Sequence, residues 1–347
     1  MDRGHLETPI KLPRRVAVLG AGTMGSQIAG LLAGLGIPCD LLDRYAGEDG
    51  NLLVEQAKKM LLKGKPPPLF SKESLSLIRS GNFSEHLDRL REVDWVIEAV
   101  VENLEIKRKL WSQVSSFLRS DVVASTNTSG IPIASIATAL PEEIRPRFLG
   151  THFFNPPRYL RLLELVPWTG TDSLVVECIA QFAERVLGKG VVVAHDVPNF
   201  IGNRIGAYSF MVVLRAMEEF GLSPDDVDSV VGPAMGRPNS ATFRTLDLIG
   251  LDVHAAICEN TQEYVHEPAE KEAFDVPGYF REMIKRGWTG EKSGQGFYKR
   301  MQKDSSTEIH VIQTDSLKYR RRRHLQVASL AAALEKDDLA ERLEVLM

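Results

Sequence analysis

Residues 16–36, VAVLGAGTMGSQIAGLLAGLG, constrain the fold more than any other stretch of the chain. Val16 to Leu19 are consecutive apolar residues, as in a short strand buried on both faces. GAGTMG follows at 20–25 and fits GxGxxG, and Met24, Ile28, Leu31, Leu32 and Leu35 then recur on one helical face. Alone, such a glycine pattern is weak. Set between a strand and an amphipathic helix, it has a mechanism. Gly20 allows the tight turn, Gly22 lets a pyrophosphate approach the backbone, and Gly25 lets the helix pack closely on its strand. Thr23 and Met24 fill the variable positions and are expected beside the same ligand. The free N–H groups and dipole of the helix N-terminus favour the anion.

Asp43 closes the apolar run PCDLLD (38–43), 18 positions past Gly25. A carboxylate there accepts hydrogen bonds from ribose hydroxyls and repels a 2′-phosphate, so the cofactor expected is NAD. Arg44, next in sequence, works against that exclusion. Strand-like runs continue at WVIEAV (95–100), DVVAST (121–126) and FLGTHFF (148–154). Between the first two, NLEIKRKLWSQVSSFL (103–118) sets Ile106, Leu110, Val114 and Phe117 at helical spacing. Alternating strands and helices imply crossover connections and a mostly parallel sheet covered on both faces. The expectation is an α/β fold: a tail over residues 1–12, then a Rossmann-type, doubly wound domain over 13–199.

Beyond HDVPNF (195–200) helical patterns take over, beginning with Ile201, Ile205, Tyr208, Val212 and Met217. SPDDVDSVV (223–231) opens with a serine cap, a proline and first-turn acids. An all-helical second domain is expected over 200–300. Residues 301–347 are polar, carry the run Arg320–Arg323, and end in an amphipathic stretch without a capping signal. They read as a linker or part of a further module, with the arginines facing water.

The net charge of −4 gives no support to a nucleic-acid partner. Cys39, Cys178 and Cys258 are far apart with no CxxC pair, which fits a reducing cytoplasm and argues against disulfides or a thiolate metal site. The N-terminus has no apolar signal region. IAGLLAGLGIPC (28–39) is too short and glycine-rich to span a bilayer. No metal ligand set and no membrane partner are expected.

GTHFFNPPRYLRLLELVP (150–167) places His152 and Glu164 on either side of an Asn-Pro-Pro turn. By itself the stretch leaves two readings open. One is a hairpin whose polar residues face water; the other is a hairpin that joins an imidazole and a carboxylate in a cleft.

GAGTMG, EAVVENLEIKRKL, STNTSG, GTHFFNPPRYLRLLELVP, HDVPNFIGNRIG and GEKSGQGFYKR occur in the order seen in L-3-hydroxyacyl-CoA dehydrogenases, across about residues 14–300. The chain resembles that family. KGKPPPLFSKE (63–73) and GRPNSATFRTLDLIGLD (236–252) are similar in particular to the dehydrogenase part of bacterial and archaeal fusions with an enoyl-CoA hydratase. The resemblance implies NAD-dependent oxidation of L-3-hydroxyacyl-CoA to 3-oxoacyl-CoA in fatty-acid β-oxidation. It implies that His152 takes the proton of the 3-hydroxyl and that Glu164 orients the imidazole and offsets its charge. Ser129 and Asn203 match positions that hydrogen-bond the reacting substrate. Val100, Glu102, Lys107, Asn127, Ser129 and Asn155 match the surroundings of the nicotinamide half, and Lys292 a lysine reaching the cofactor from the helical domain. Lys63 and Lys65 are candidates for the CoA phosphates. A homodimer formed through the helical domain is implied, as is a fused hydratase module in a longer protein. The chain departs from the family pattern at Gly130, where a second serine is common, and at Asn199, where glycine is usual.

Two other readings use the same fold. A β-hydroxyacid dehydrogenase with a catalytic lysine would not need the His152–Glu164 pair. A non-catalytic nucleotide-binding protein would tolerate loss of that pair and of Ser129. A metal-dependent hydrolase finds no HExxH or His/Asp cluster. Cofactor choice rests on Asp43: like charges about 4 Å apart cost about 4 kcal/mol at an effective dielectric of 20. Steady-state kinetics should give a higher kcat/KM with NAD than with NADP, and Asp43→Ala should narrow the gap. Equal efficiency with both cofactors would contradict the assignment.

Overall fold

The computed structural model of the chain describes residues 11–303, 306–323 and 325–347. Of the tail expected over 1–12, residues 1–10 lie outside the described residues. The chain forms two compact units, Met1–Ile201 and Gly202–Met347.

The first unit runs β1 (Val16–Leu19), α1 (Thr23–Gly34), β2 (Cys39–Asp43), α2 (Leu52–Lys63), β3 (Ile78–Asn82), β4 (Trp95–Glu98) and α3 (Leu104–Val114). It continues through β5 (Val123–Thr126), α4 (Ile133–Ala137), β6 (Phe148–Phe153), β7 (Leu162–Val166), α5 (Ser173–Arg185) and β8 (Gly190–Val193). These strands make one eight-stranded sheet in the order β3-β2-β1-β4-β5-β6-β7-β8. Neighbours are parallel except β6 and β7. The chain moves outward from β1 to β3, then crosses back to β4. A doubly wound sheet opens its ligand crevice at that reversal, beyond the carboxyl ends of the strands.

Both faces of the sheet are packed. Ile28, Leu31 and Leu32 of α1, Ala57 and Leu61 of α2, and Ile179 and Phe182 of α5 cover one face. Leu110, Trp111 and Val114 of α3 and Ile133 and Ile136 of α4 cover the other. Trp95 in the sheet meets Phe182 edge-on at 5.9 Å, and Trp111 meets Phe148 at 5.4 Å on the opposite side. Strand β3, IRSGN, was not expected from the sequence, because Arg79 and Gly81 break its apolar run; it is an edge strand. Ile106, expected on the buried face of α3, is exposed, and Lys107 points inward instead.

The second unit contains α6 (Gly202–Glu219), α7 (Pro224–Val230), α8 (Phe243–Ile249), α9 (Leu251–Tyr264), α10 (Pro268–Ala273) and α11 (Gly278–Lys285). After these come β9 (Tyr298–Lys303), β10 (Ser306–Gln313), β11 (Lys318–Arg321), α12 (Ala328–Leu334) and α13 (Leu339–Leu346). On α6, Ala207, Met211, Leu214 and Met217 are buried. Ile205, Tyr208 and Val212, expected to face the core with Met217, form an exposed apolar row.

Residues 301–347 are not a linker. Strands β9, β10 and β11 form an antiparallel sheet, and Val311 and Ile312 sit fully buried in one core with Met211, Phe243, Phe280 and Phe297. The polar composition that suggested a linker is the outer face of this sheet. Nor does the arginine run simply face water. Arg320 donates to both oxygens of Asp225, at 2.6 and 2.8 Å, and the Arg323 N–H adds a bond at 2.8 Å. The Asp225 side chain has no solvent exposure. At the end of the segment, Arg342 donates to the Pro233 carbonyl at 3.1 Å.

Among the described residues, no helix is long and apolar enough to cross a membrane, and no group of three acidic, histidine or cysteine side chains could hold a metal ion. The Arg320–Asp225 pair should decide whether the second unit holds together. Removing one member of a buried ion pair costs about 3–5 kcal/mol, because the other charge is left desolvated. Urea unfolding of Arg320→Met should show a loss of that order; a change below about 1 kcal/mol, the scale of surface pairs, would mean the pair is ordinary surface decoration.

Candidate active site

The crevice begins at the turn after β1. Gly20 has φ +107°, and a Cβ there would lie 2.7 Å from the Ala99 carbonyl oxygen, so the turn admits no side chain. Beyond the turn, α1 starts with Gly22 in extended conformation, no side-chain cap and no acid in its first turn. Space for a Gly22 Cβ is open, with no atom within 4 Å. Uncapped N–H groups facing open space suit the pyrophosphate of a dinucleotide. Gly22 and Thr23 are exposed at this N-terminus and Met24 is half-buried. Asp43 ends β2 beside the turn; its carboxylate accepts from Ala21 N at 2.6 Å and Arg44 N at 2.7 Å.

At the end of β4, on the far side of the reversal, stands a buried carboxylate that sequence reasoning missed. Glu98 accepts from Val100 N at 2.8 Å, Lys107 Nζ at 2.7 Å and Thr126 Oγ1 at 2.7 Å. Lys107, expected on the cofactor rim, is buried and lies 3.3 Å from Glu102 on its other side. An ammonium held between two carboxylates is committed to the scaffold. Glu102 in turn accepts from Thr128 Oγ1 at 2.5 Å, Ser129 N at 2.8 Å and Gly130 N at 3.2 Å. The loop 127–130 is thus tied to β4. The only signal in the sequence was one acid inside the apolar strand WVIE.

Ser129 faces His152, with Oγ 3.0 Å from Nε2. His152 Nδ1 is 2.7 Å from Glu164 Oε2, and Glu164 Oε1 accepts from Ile201 N at 3.0 Å. His152 and Glu164 are direct cross-strand partners of β6 and β7. Both are buried, which excludes the reading of a hairpin with water-facing polar residues. A carboxylate only accepts, so Nδ1 carries the proton and Nε2 presents its lone pair toward Ser129. Phe154 and Phe200 flank the imidazole at 4.5 and 5.6 Å. Asn199 and Phe200 have φ of +62° and +47°, a left-handed step that favours glycine and that asparagine tolerates. Local strain of this kind clusters at functional sites; here it sets the Phe200 ring and the Ile201 N–H against the pair.

Asn127 accepts from Phe153 N at 2.9 Å and so joins the ends of β5 and β6. Asn155 accepts from Gln27 on α1 at 3.2 Å, which draws the loop after β6 toward the first helix. A second unforeseen residue secures that loop. Lys189 is buried, donates to the carbonyls of Pro157 and Leu160, and has its pKa brought down by burial to about 8. Arg158 from the same loop donates to the Pro67 and Leu69 carbonyls and lies over the Phe70 ring at 4.4 Å. Lys63 and Lys65, near that segment, are exposed and make no ion pair among the described residues. Asn203 and Lys292 belong to the second unit. Asn203 is in the first turn of α6, and the exposed Lys292 pairs with Asp252 at 2.6 Å.

The family model described as 3-hydroxyacyl-CoA dehydrogenase, NAD binding domain, matches residues 15–197, and the one described as 3-hydroxyacyl-CoA dehydrogenase, C-terminal domain, matches 200–300. The chain belongs to the 3-hydroxyacyl-CoA dehydrogenase family. A probable 3-hydroxyacyl-CoA dehydrogenase of Bacillus subtilis is 42% identical over 350 residues, which cover 96% of this chain and 44% of that protein. One from Deinococcus radiodurans is 43% identical over 83% of each. The chain therefore spans less than half of the first relative and most of the second. Among solved structures, FadB2 of Mycobacterium tuberculosis superposes with a TM-score of 0.71 at 30% identity, over 83% of this chain and 99% of that one. The first unit is accordingly the family's NAD-binding domain, and the second contains its C-terminal domain.

The Glu98–Lys107 pair should carry much of the stability of the crevice wall. Lys107→Met leaves Glu98 buried without its counter-charge and should cost about 3–5 kcal/mol in chemical unfolding. Adding Glu98→Gln should recover part of that loss, because the stranded charge is gone. Additive losses in the double variant would show that the two groups do not interact.

Proposed function

We propose that the chain oxidises L-3-hydroxyacyl-CoA to 3-oxoacyl-CoA, as a step of fatty-acid β-oxidation. The observation that carries this reading is the hydrogen-bonded series from Ser129 to the buried His152 and Glu164, in a domain of the NAD-binding family. NAD supplies the hydride acceptor. His152 Nε2 takes the hydroxyl proton as C3 gives up its hydride, and Glu164 offsets the imidazolium charge within a site shielded from water. Ser129 Oγ hydrogen-bonds the reacting oxygen, a role shared with Asn203. Gly20, Gly22, Thr23, Met24, Gly25 and Asp43 hold the adenosine and pyrophosphate. Val100, Glu102, Asn127, Asn155 and Lys292 attend the nicotinamide half, while Lys107 acts only through Glu102. Lys63 and Lys65 meet CoA phosphates.

The lysine-dependent alternative is less well supported, because both lysines buried in the first unit, Lys107 and Lys189, are committed to carboxylates or carbonyls. A cytoplasmic setting fits three free cysteines. A homodimer fits the exposed row Ile205, Tyr208 and Val212 on α6. A partner hydratase, fused or separate, would supply the 3-hydroxyacyl-CoA. A relative in Rickettsia felis is named a putative fatty acid oxidation complex trifunctional enzyme, and this chain covers 43% of it.

Oxidation of 3-hydroxyacyl-CoA from C4 to C16, read at NADH absorbance, tests the proposal. His152→Gln should lower kcat by about 10²–10⁴-fold with little change in NADH binding. Glu164→Gln should also depress kcat, and the double variant should lose much less than the product of the single losses. Near-normal turnover by His152→Gln would end the mechanism. A chain that sediments as a single protomer would end the dimer assignment.

A further inference from the structure

A cavity of about 300 Å³ lies wholly within the second unit, between α8, the loop before β9, and the sheet of β9 to β11. That is at the lower end of the size range of small-molecule sites, about 300–1,000 Å³. Four cationic side chains line it: Arg244, Lys299, Arg300 and Arg322. Two carboxylates share the lining, Asp228 and Glu291, and they leave Lys299 and Arg322 without a counter-charge. Asp228 is consumed by its own scaffold, accepting from Thr242 N, Phe243 N and Arg244 N at 2.8 to 3.1 Å and from the Tyr298 hydroxyl at 2.9 Å. Glu291 holds Arg244 at 2.6 Å and reaches Arg300 only at 3.7 Å.

Lys299 and Arg322 make no ion pair among the described residues; Lys299 lies over the Tyr319 ring and Arg322 over that of Tyr298. The Nε of Arg322 is buried with no hydrogen-bond partner. A buried guanidinium N–H without an acceptor is a costly arrangement unless a ligand completes it. The arginines come from three separate parts of the unit: Arg244 from α8, Arg300 from β9 and Arg322 from the segment after β11. That arrangement suits an oxyanion with several charged oxygens better than a planar carboxylate.

We propose that this cavity binds a phosphate-bearing anion at a site separate from the glycine turn of the first unit. Its chemistry is that of a phosphomonoester or pyrophosphate group on a free metabolite. The proposal is independent of the dehydrogenase reading, since none of its residues takes part in that mechanism.

Calorimetric titration of the full chain with inorganic pyrophosphate, at saturating NADH so that the glycine turn is filled, tests it. One site should appear, and Arg322→Met and Lys299→Met should each weaken it by about tenfold or more. Arg281→Met, which removes an exposed arginine paired with Asp275 on α11, should leave it unchanged. NADH affinity should be the same in all variants. Unfolding midpoints of both variants are read alongside; if loss of the Arg322–Tyr298 contact lowers that of Arg322→Met, Lys299→Met carries the test. Failure of CoA to displace pyrophosphate supports a site for a free compound; displacement by CoA would make the cavity part of substrate binding and overturn the separate site. No binding up to about 10 mM, weaker than the millimolar scale of about −4 kcal/mol, or equal binding by both variants, would overturn it.

Discussion

The carboxylate of Glu98 is the point on which the crevice depends. It is fully buried at the carboxyl end of β4, beside the reversal of strand order, and each of its bonds secures a different piece of chain. Val100 N fixes the turn out of β4, Thr126 fixes the end of β5, and Lys107 fixes α3. Lys107 passes the constraint to Glu102, and Glu102 gathers Thr128, Ser129 and Gly130. Ser129 then meets His152. Desolvating Glu98 and Lys107 is unfavourable unless they are paired and bonded, as they are here. The pairing anchors the loop 127–130 to the chain leaving β4.

The second constraint is strand register. His152 and Glu164 face each other because β6 and β7 pair antiparallel in one particular alignment. Side chains alternate across a sheet, so a slip of one residue would send both to the opposite face. The alignment is held from both ends of the connecting loop. Asn127 bonds Phe153 N, and Lys189 gathers the Pro157 and Leu160 carbonyls. Burial brings the Lys189 pKa down, and no carboxylate among the described residues offsets it. Polar groups that do no chemistry thus position the ones that can.

In the second unit, polar side chains do a different job. Asp225, Asp228 and Asp247 are buried carboxylates that tie distant segments together: Asp225 to Arg320 and Arg323, Asp228 to the start of α8, and Asp247 to Phe297 N and Tyr298 N. The sheet of β9 to β11 is fastened to the helices through these acids as well as through Val311 and Ile312. The cationic cavity arises where that fastening leaves more arginine and lysine than carboxylate can neutralise.

The sequence by itself determined the strand–turn–helix at 16–36, the acid at Asp43 and the alternation that makes a doubly wound sheet, and it singled out His152 and Glu164 while leaving their pairing open. These are local signals: apolar periodicity, glycine where the backbone must turn, and motifs whose members are close along the chain. Tertiary structure decided what depends on partners distant in sequence. Lys107, expected on the cofactor rim, is instead buried against Glu98, a partner nine positions earlier on β4. Ile106, Ile205, Tyr208 and Val212 fit a helical period yet face outward, because neighbouring residues on α3 and α6 supply the packed face. Residues 301–347 read as a linker or part of a further module because only one face of their sheet is apolar, and Arg320 finds Asp225 some 95 positions earlier. Charge and periodicity are properties of a segment. Which face is buried, and which charge is neutralised, is settled only when segments far apart in the chain are brought into contact.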